Sequence, residues 1–116
     1  SLIGSIFSNL TKNAIAYSSG RNIYITLLEN TEKLCRIRFE DDGQGVAPQH
    51  LSRLFERFYR IDKGRSRKLG GTGLGLSIVK HAVLFHGGTI TASNRPEGGL
   101  RFDFTLMKRQ DNENLA

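Results

Sequence analysis

Cys35-Arg36-Ile37-Arg38-Phe39-Glu40-Asp41-Asp42-Gly43-Gln44-Gly45 is the stretch that decides the fold. Cys35, Ile37 and Phe39 alternate with Arg36, Arg38 and Glu40, the period of a strand with one buried face. The strand runs directly into a loop of the form D-x-G-x-G. Just upstream, Ile23, Ile25 and Leu27 alternate with Tyr24, Thr26 and Leu28, and Glu29 to Lys33 is a polar turn. The two strands therefore form a hairpin that delivers Asp41 at its end.

Working outward, Ile3, Ile6, Phe7, Leu10 and Ala14 fall at steps of three and four, which predicts a helix over Leu2 to Tyr17. Ser1 is a weak cap, so this helix is expected to begin upstream, and Ser18-Ser19-Gly20 breaks it. Downstream, Pro48 opens a short helix through Leu54, followed by Phe55, Phe58 and Tyr59. Arg60 to Gly71 is polar, basic and aperiodic, the pattern of a mobile loop. Between Gly73 and His86, Leu76, Val79 and Val83 form one stripe and Leu74 and Ile78 another, predicting a helix packed on more than one side and ended by Gly87-Gly88. Ile90 to Asn94 and Leu100 to Met107 read as strands joined around Pro96-Glu97-Gly98-Gly99. The expected fold class is α+β. It is a two-layer α/β sandwich with a mostly antiparallel mixed sheet covered by helices on one face. Residues 1–107 form one domain and 108–116 a polar tail.

With 116 residues, 38% of them hydrophobic, the chain buries one core and not two. Seventeen Lys and Arg against eleven Asp and Glu leave a formal charge of +6, which favours polyanions without choosing among nucleic acid, acidic lipid and polyphosphate. The single cysteine, Cys35, makes no internal disulfide, and its place in an alternating stretch predicts a buried, reduced thiol in an intracellular compartment. No run approaches the ~18 apolar residues of a membrane helix. Membrane attachment would come only through segments outside this sequence.

Three constellations carry chemistry, each with a plainer alternative. Asn9 and Asn13, four apart, stack on one flank of the first helix with Tyr17 one turn on; they offer amide oxygens to a hard cation, or simply face solvent. Asp41 with Gly43 and Gly45 suits an exocyclic amine, and so adenine over guanine; it also suits an ordinary tight turn. Gly70 to Gly75 opens a helix whose free N–H groups attract phosphate, or else is a hinge. It matches neither G-x-G-x-x-G nor a P-loop. Arg60, Lys63, Arg65, Arg67 and Lys68 precede it as a phosphate lid, a solvated loop or a nucleic-acid patch. Aromatic interleaving is weak there, which disfavours nucleic acid. His50, His81 and His86 lack metal-ligand spacing and read as structural or surface residues.

In order, Asn9-Leu10-Thr11-Lys12-Asn13-Ala14, Asp41-Asp42-Gly43-Gln44-Gly45, Phe55-Glu56-Arg57-Phe58-Tyr59-Arg60, Gly71-Thr72-Gly73-Leu74-Gly75-Leu76 and His86-Gly87-Gly88-Thr89 resemble the N, G1, F, G2 and G3 boxes of sensor histidine kinases. The resemblance spans residues 1 to about 107. It implies the Bergerat ATP-binding fold shared with type II topoisomerases, the MutL repair proteins and the ninety-kilodalton heat-shock chaperones, and the F box with Arg60 points to the kinase branch. By this resemblance ATP and Mg2+ are the cofactors. Asn13 is the metal ligand with Asn9 in support, and Asn9, Asn13 and Arg60 form the catalytic set. Asp41 holds the adenine amino group; Gly43 and Gly45 admit the base, with Tyr17 and Val46 beside it. Arg60 contacts the terminal phosphate, while Gly71, Thr72, Gly73, Leu74, Gly75 and Leu76 line the phosphates. The implied reaction transfers the γ-phosphoryl group of ATP to a histidine on a dimerisation and phosphoacceptor helical domain of the same protein, with a response regulator downstream and a cytoplasmic location.

The sequence departs from the family pattern at Ala16, where a basic residue is usual; Lys12, one turn earlier, or the loop cations are the candidate replacements. Ser1 falls within the N-box helix, and no phosphoacceptor helices are present. The chain is therefore expected to bind nucleotide without phosphorylating itself, and to be marginally stable. A nucleotide-sensing module without transfer activity is the alternative that Ala16 motivates.

Overall fold

A computed structural model describes residues 1–61 and 73–108 of the chain. The elements in order are α1 (Leu2–Tyr17), β1 (Ile23–Asn30), β2 (Leu34–Asp41), α2 (Pro48–Leu51), α3 (Gly75–Phe85), β3 (Ile90–Asn94) and β4 (Leu100–Met107). They build a four-stranded sheet of order β1-β2-β4-β3. All three pairings are antiparallel. The α+β architecture expected from the sequence is therefore the one found.

The alternating face of β2 sets the core. Phe39 stands opposite Phe102, and Ile37 opposite Phe104, so aromatic rings from the two central strands line one side of the sheet. Against them pack Ile6, Leu10 and Ala14 of α1 and Val79, Ala82 and Val83 of α3. Phe39, Phe102, Phe104, Ile6, Leu10, Val79 and Val83 are all but sealed from solvent. Phe7 meets Phe104 edge-on, with ring centroids 5.9 Å apart, an arrangement that favours the positive ring edge over the negative face. The outer side of the sheet is charged. Glu40 there receives Arg101 Nε at 2.9 Å, and Arg95 Nε lies 3.3 Å from the same oxygen in ionic contact without a directed hydrogen bond.

The helix ends follow from local chemistry. Ser1 Oγ accepts the Gly4 N–H at 3.0 Å and caps α1. At the other end of α3, Gly87 N–H bonds Leu84 O and Gly88 N–H bonds Val83 O, the paired contacts of a Schellman motif. The His86-Gly87-Gly88-Thr89 stretch is thus a helix stop that feeds β3.

Several expectations need correction. Every residue of β1 is exposed, including Ile25 and Leu27, because the core draws on α1, α3, β2 and β4 and no helix among the described residues covers β1. Only one stripe of α3 is buried; Ile78 of the second is exposed. Helix α2 stops at Leu51, and Leu54 reaches the core from the turns that follow. Cys35 is half-buried, not buried. No helix among the described residues is long and apolar enough to cross a membrane.

Candidate functional site

Asp41 ends β2 beside the start of β4, and this junction fixes its carboxylate. Oδ1 accepts the Gly43 N–H at 2.9 Å and the Leu100 N–H at 3.2 Å. Among the described residues both bonds fall on Oδ1, so Oδ2 keeps its lone pairs for a further donor. The residue is only 4% exposed, which makes the carboxylate a buried acceptor with one oxygen pinned. Its neighbour Asp42 does different work. Asp42 Oδ1 accepts the Arg21 and Asn22 N–H groups, each at 2.8 Å, and Oδ2 accepts Asn22 Nδ2 at 2.9 Å. These donors, the Asn22 N–H foremost, lower the Asp42 carboxyl from its ordinary 3.8 to about 2. Asp42 thereby ties the loop after α1 to the end of β2.

The glycines of this loop serve the protein's own packing. A side chain on Gly43 would overlap the Ser18 carbonyl at the end of α1. Gly45 has a φ of +69°, and a Cβ there would come within 2.6 Å of Asn94 Oδ1. The close approaches expected from these glycines are therefore made to α1 and β3. Gln44 completes the seam by donating from Nε2 to Tyr17 O at 3.1 Å.

The same helix reaches the glycine run through its other asparagine. Asn9 donates Nδ2 to Ser5 O at 2.8 Å, which leaves Oδ1 facing the first turn of α3, 3.4 Å from where a Cβ on Gly75 would sit. Asn13 lies half-buried, one turn before the end of α1. Asn9, Asn13 and Tyr17 thus line about 12 Å of helix between the glycine run and the Asp41 loop, at 1.5 Å per residue.

Arg60 enters from the opposite side. The Phe58 N–H donates to Gly73 O at 2.7 Å, and Arg60 Nε would stand 3.1 Å from a Cβ on Gly73. Arg60 Nε is buried and has no hydrogen-bond partner among the described residues, a donor left for an anion. Leu74 and Leu76 follow at the start of α3, half-buried. Gly71 and Thr72, and the cations Lys63, Arg65, Arg67 and Lys68, lie outside the described residues. An open series of contacts thus runs from Asp41 through α1 to Gly75, and from Gly73 to Arg60. The residue set fits a nucleotide: a buried acceptor at one end, an orphaned guanidinium donor at the other, and amide oxygens suited to Mg2+ between them.

The family model described as histidine kinase-, DNA gyrase B- and HSP90-like ATPase matches residues 1–110. The chain belongs to this ATPase family. Within it, the chain corresponds to the ATP-binding catalytic domain of sensor histidine kinases, which are protein histidine kinases. It is 39% identical over 113 residues to the sensor histidine kinase WalK of Bacillus subtilis (strain 168), a match covering 96% of this chain and 18% of WalK. The mycobacterial sensor histidine kinase MprB superposes with a TM-score of 0.75 at 30% identity, covering 93% of this chain and 71% of that one. Full-length ShkA in complex with AMPPNP gives 0.76 at 26% identity, covering 94% of this chain and 22% of ShkA. The chain therefore spans a small part of the full-length kinases it matches.

Sequence reasoning missed three parts of this ATPase domain's site. Asn94 clamps Val46, Asp42 ties down the loop after α1, and Gly99 packs so closely on Asp41 that a side chain there would overlap the Asp41 carbonyl. The available signals were an asparagine ending a strand and an acid pair preceding glycine.

Proposed function

We propose that this domain binds Mg-ATP and presents its γ-phosphoryl group to a histidine on a dimerisation and phosphoacceptor helical domain of the same protein, whose phosphate a response regulator then receives. The observation that carries the reading is the buried Asp41 carboxylate with Oδ2 uncommitted, at the opposite end of α1's asparagine face from the orphaned Nε of Arg60. The AMPPNP complex of ShkA supports the ligand class.

Each residue has a distinct task. Asp41 Oδ2 accepts the exocyclic N–H of adenine, which the carbonyl of guanine cannot supply. Val46 and Tyr17 border the base. Asn13 holds Mg2+ through its amide oxygen with Asn9 beside it, and the ion, when bound, neutralises phosphate charge. Arg60 donates to the terminal phosphate, and the glycine run at the start of α3 offers main-chain N–H groups. The imidazole nitrogen of the acceptor forms a bond to the γ-phosphorus as the bond to the bridging oxygen breaks and ADP departs. Such transfer depends on positioning and charge stabilisation, so the acceptor must be brought to this domain. Either Lys12, exposed on α1 four residues before Ala16, or the loop cations supply the phosphate contact that Ala16 lacks; unchanged Mg-ATP affinity in Lys12→Ala would leave the loop cations. The working location is cytoplasmic, with any membrane anchor elsewhere in the protein.

Titration with Mg-ATP and Mg-GTP tests the reading. Wild type is expected to prefer ATP, and Asp41→Asn to lose that preference. Equal affinities for both nucleotides in the wild type would sink the adenine assignment. With labelled ATP, the chain alone is expected to stay unlabelled and to label a supplied phosphoacceptor domain.

A further inference from the structure

Val46 is held at both of its main-chain polar groups by one side chain. Asn94 Oδ1 accepts the Val46 N–H at 2.9 Å, and Asn94 Nδ2 donates to Val46 O at 2.7 Å. Asn94 ends β3, forty-eight residues away in sequence, and stands opposite Leu100 in the β3–β4 ladder. Leu100 is the residue whose N–H pins Asp41 Oδ1. Between the two, the Arg95 N–H bonds Gly99 O at 2.7 Å, closing the hairpin, and Gly99 packs on the Asp41 carbonyl. The β3–β4 hairpin therefore grips the loop after β2 at two points. Leu100 fixes the carboxylate and Asn94 fixes the chain five residues beyond it.

We propose that Asn94 is a positioning residue of the adenine site, setting base selectivity by clamping Val46 so that the loop from Gly43 to Val46 holds a fixed distance from Asp41. The proposal rests on the adenine reading of Asp41. Its physical basis is the pairing of one primary amide, donor and acceptor together, with the N–H and C=O of a single residue. Only Asn or Gln offers both a donor and an acceptor with this planar spacing, and the Asn94 amide lies so close to Gly45 that a Cβ there would come within 2.6 Å of Oδ1. The alternative for this loop is hydration of Val46 N–H and C=O, which would let the segment from Gly45 to Val46 swing away from Asp41. Gly45, with its positive φ and no room for a side chain against Asn94, shows that the loop is shaped to the clamp.

The test uses the full 116-residue chain with Mg-ATP and Mg-GTP as probes, at a temperature where circular dichroism shows each variant folded. Asn94→Ala is expected to weaken ATP about tenfold, the scale of one or two lost hydrogen bonds, and to leave GTP unchanged, so the ATP preference shrinks by the same factor. Asn94→Asp has the same shape but sets a carboxylate oxygen against Val46 O; it is expected to behave as Asn94→Ala does, and it carries the test where the alanine variant does not fold. Equal losses for the two nucleotides, or a wild-type preference in Asn94→Asp, overturn the clamp. Asp41→Asn measured alongside separates the two claims. If Asp41→Asn abolishes the ATP preference and both Asn94 variants keep it, the clamp fails alone; if Asp41→Asn keeps it, the adenine reading fails.

Discussion

The Phe58 N–H donates to the Gly73 carbonyl at 2.7 Å, joining the aromatic segment after α2 to the chain entering α3. Both residues are in the left-handed region, Phe58 at φ 65° and Gly73 at φ 74°. A bulky aromatic there is strained, and its partner cannot carry a side chain, because a Cβ on Gly73 would lie 2.7 Å from Phe58 Cα. Gly73→Ala is expected to cost about 1–2 kcal/mol from its φ alone, with the steric conflict added. Urea denaturation measures the stability, and a nucleotide titration should show weaker binding because Arg60 Nε sits at the same contact. A variant as stable as wild type would mean that this junction is looser than described.

Asp42 predicts a specific acid response. Its folded carboxyl is depressed from 3.8 to about 2, so its contribution to stability is complete above the unfolded value and is lost as pH falls through about 2. Glu56, held down by Arg53, acts in the same direction. Comparing Asp42→Asn with wild type isolates the Asp42 part. The variant should be less stable at neutral pH and lose less stability between pH 3.8 and about 2. Parallel acid unfolding curves for the two proteins would count against the three-donor arrangement around Asp42.

Glu40 tests the charged side of the sheet. Its side chain is 10% exposed between Arg95 and Arg101, which are 17% and 20% exposed. Glu40→Gln leaves the partly buried Arg101 guanidinium without its anion and Arg95 with only the exposed Glu97, and should cost about 1–3 kcal/mol in chemical denaturation. The solvent-exposed Glu29–Arg36 pair is the control: Glu29→Gln is expected to cost under ~1 kcal/mol. Equal costs would show that the location on the sheet does not matter.

Asn13 should make ATP binding metal-dependent. Chelating Mg2+ is expected to weaken ATP binding to the wild type. Asn13→Ala should bind about tenfold more weakly in Mg2+, the scale of one lost contact to a charged group, and respond little to chelation. Calorimetry with and without EDTA reads both effects. An Asn13→Ala variant with the full chelation response would move the metal contact elsewhere on α1.

The hairpin ending in Asp41, the helix carrying Asn9 and Asn13, and the Gly87-Gly88 stop were legible in the sequence because each has a local signature: alternation, a period of three and four, or a glycine pair. The clamp on Val46 was not, because Asn94 acts across forty-eight residues and a lone asparagine at a strand end carries no pattern. The Leu100 bond to Asp41 spans fifty-nine residues and comes from main chain, which no side-chain pattern reports. Alternation in β1 gave the strand but not its exposure, since Ile25 and Leu27 record a face suited to burial and not what covers it. Helix α2 ended before Leu54 because Leu54 is buried from a turn, where apolar spacing no longer tracks helical period.

The bond between Leu100 N–H and Asp41 Oδ1 ties the carboxylate proposed to hold the base to the two central strands, where β2 ends beside the start of β4. A nucleotide seated on that carboxylate is therefore a ligand of the native state and not of the unfolded chain, and at a hundred times its Kd it adds about 2.7 kcal/mol to folding. Saturating Mg-ATP is then expected to raise the domain's resistance to denaturant and to protease together, a readout of the site that needs no phosphoacceptor.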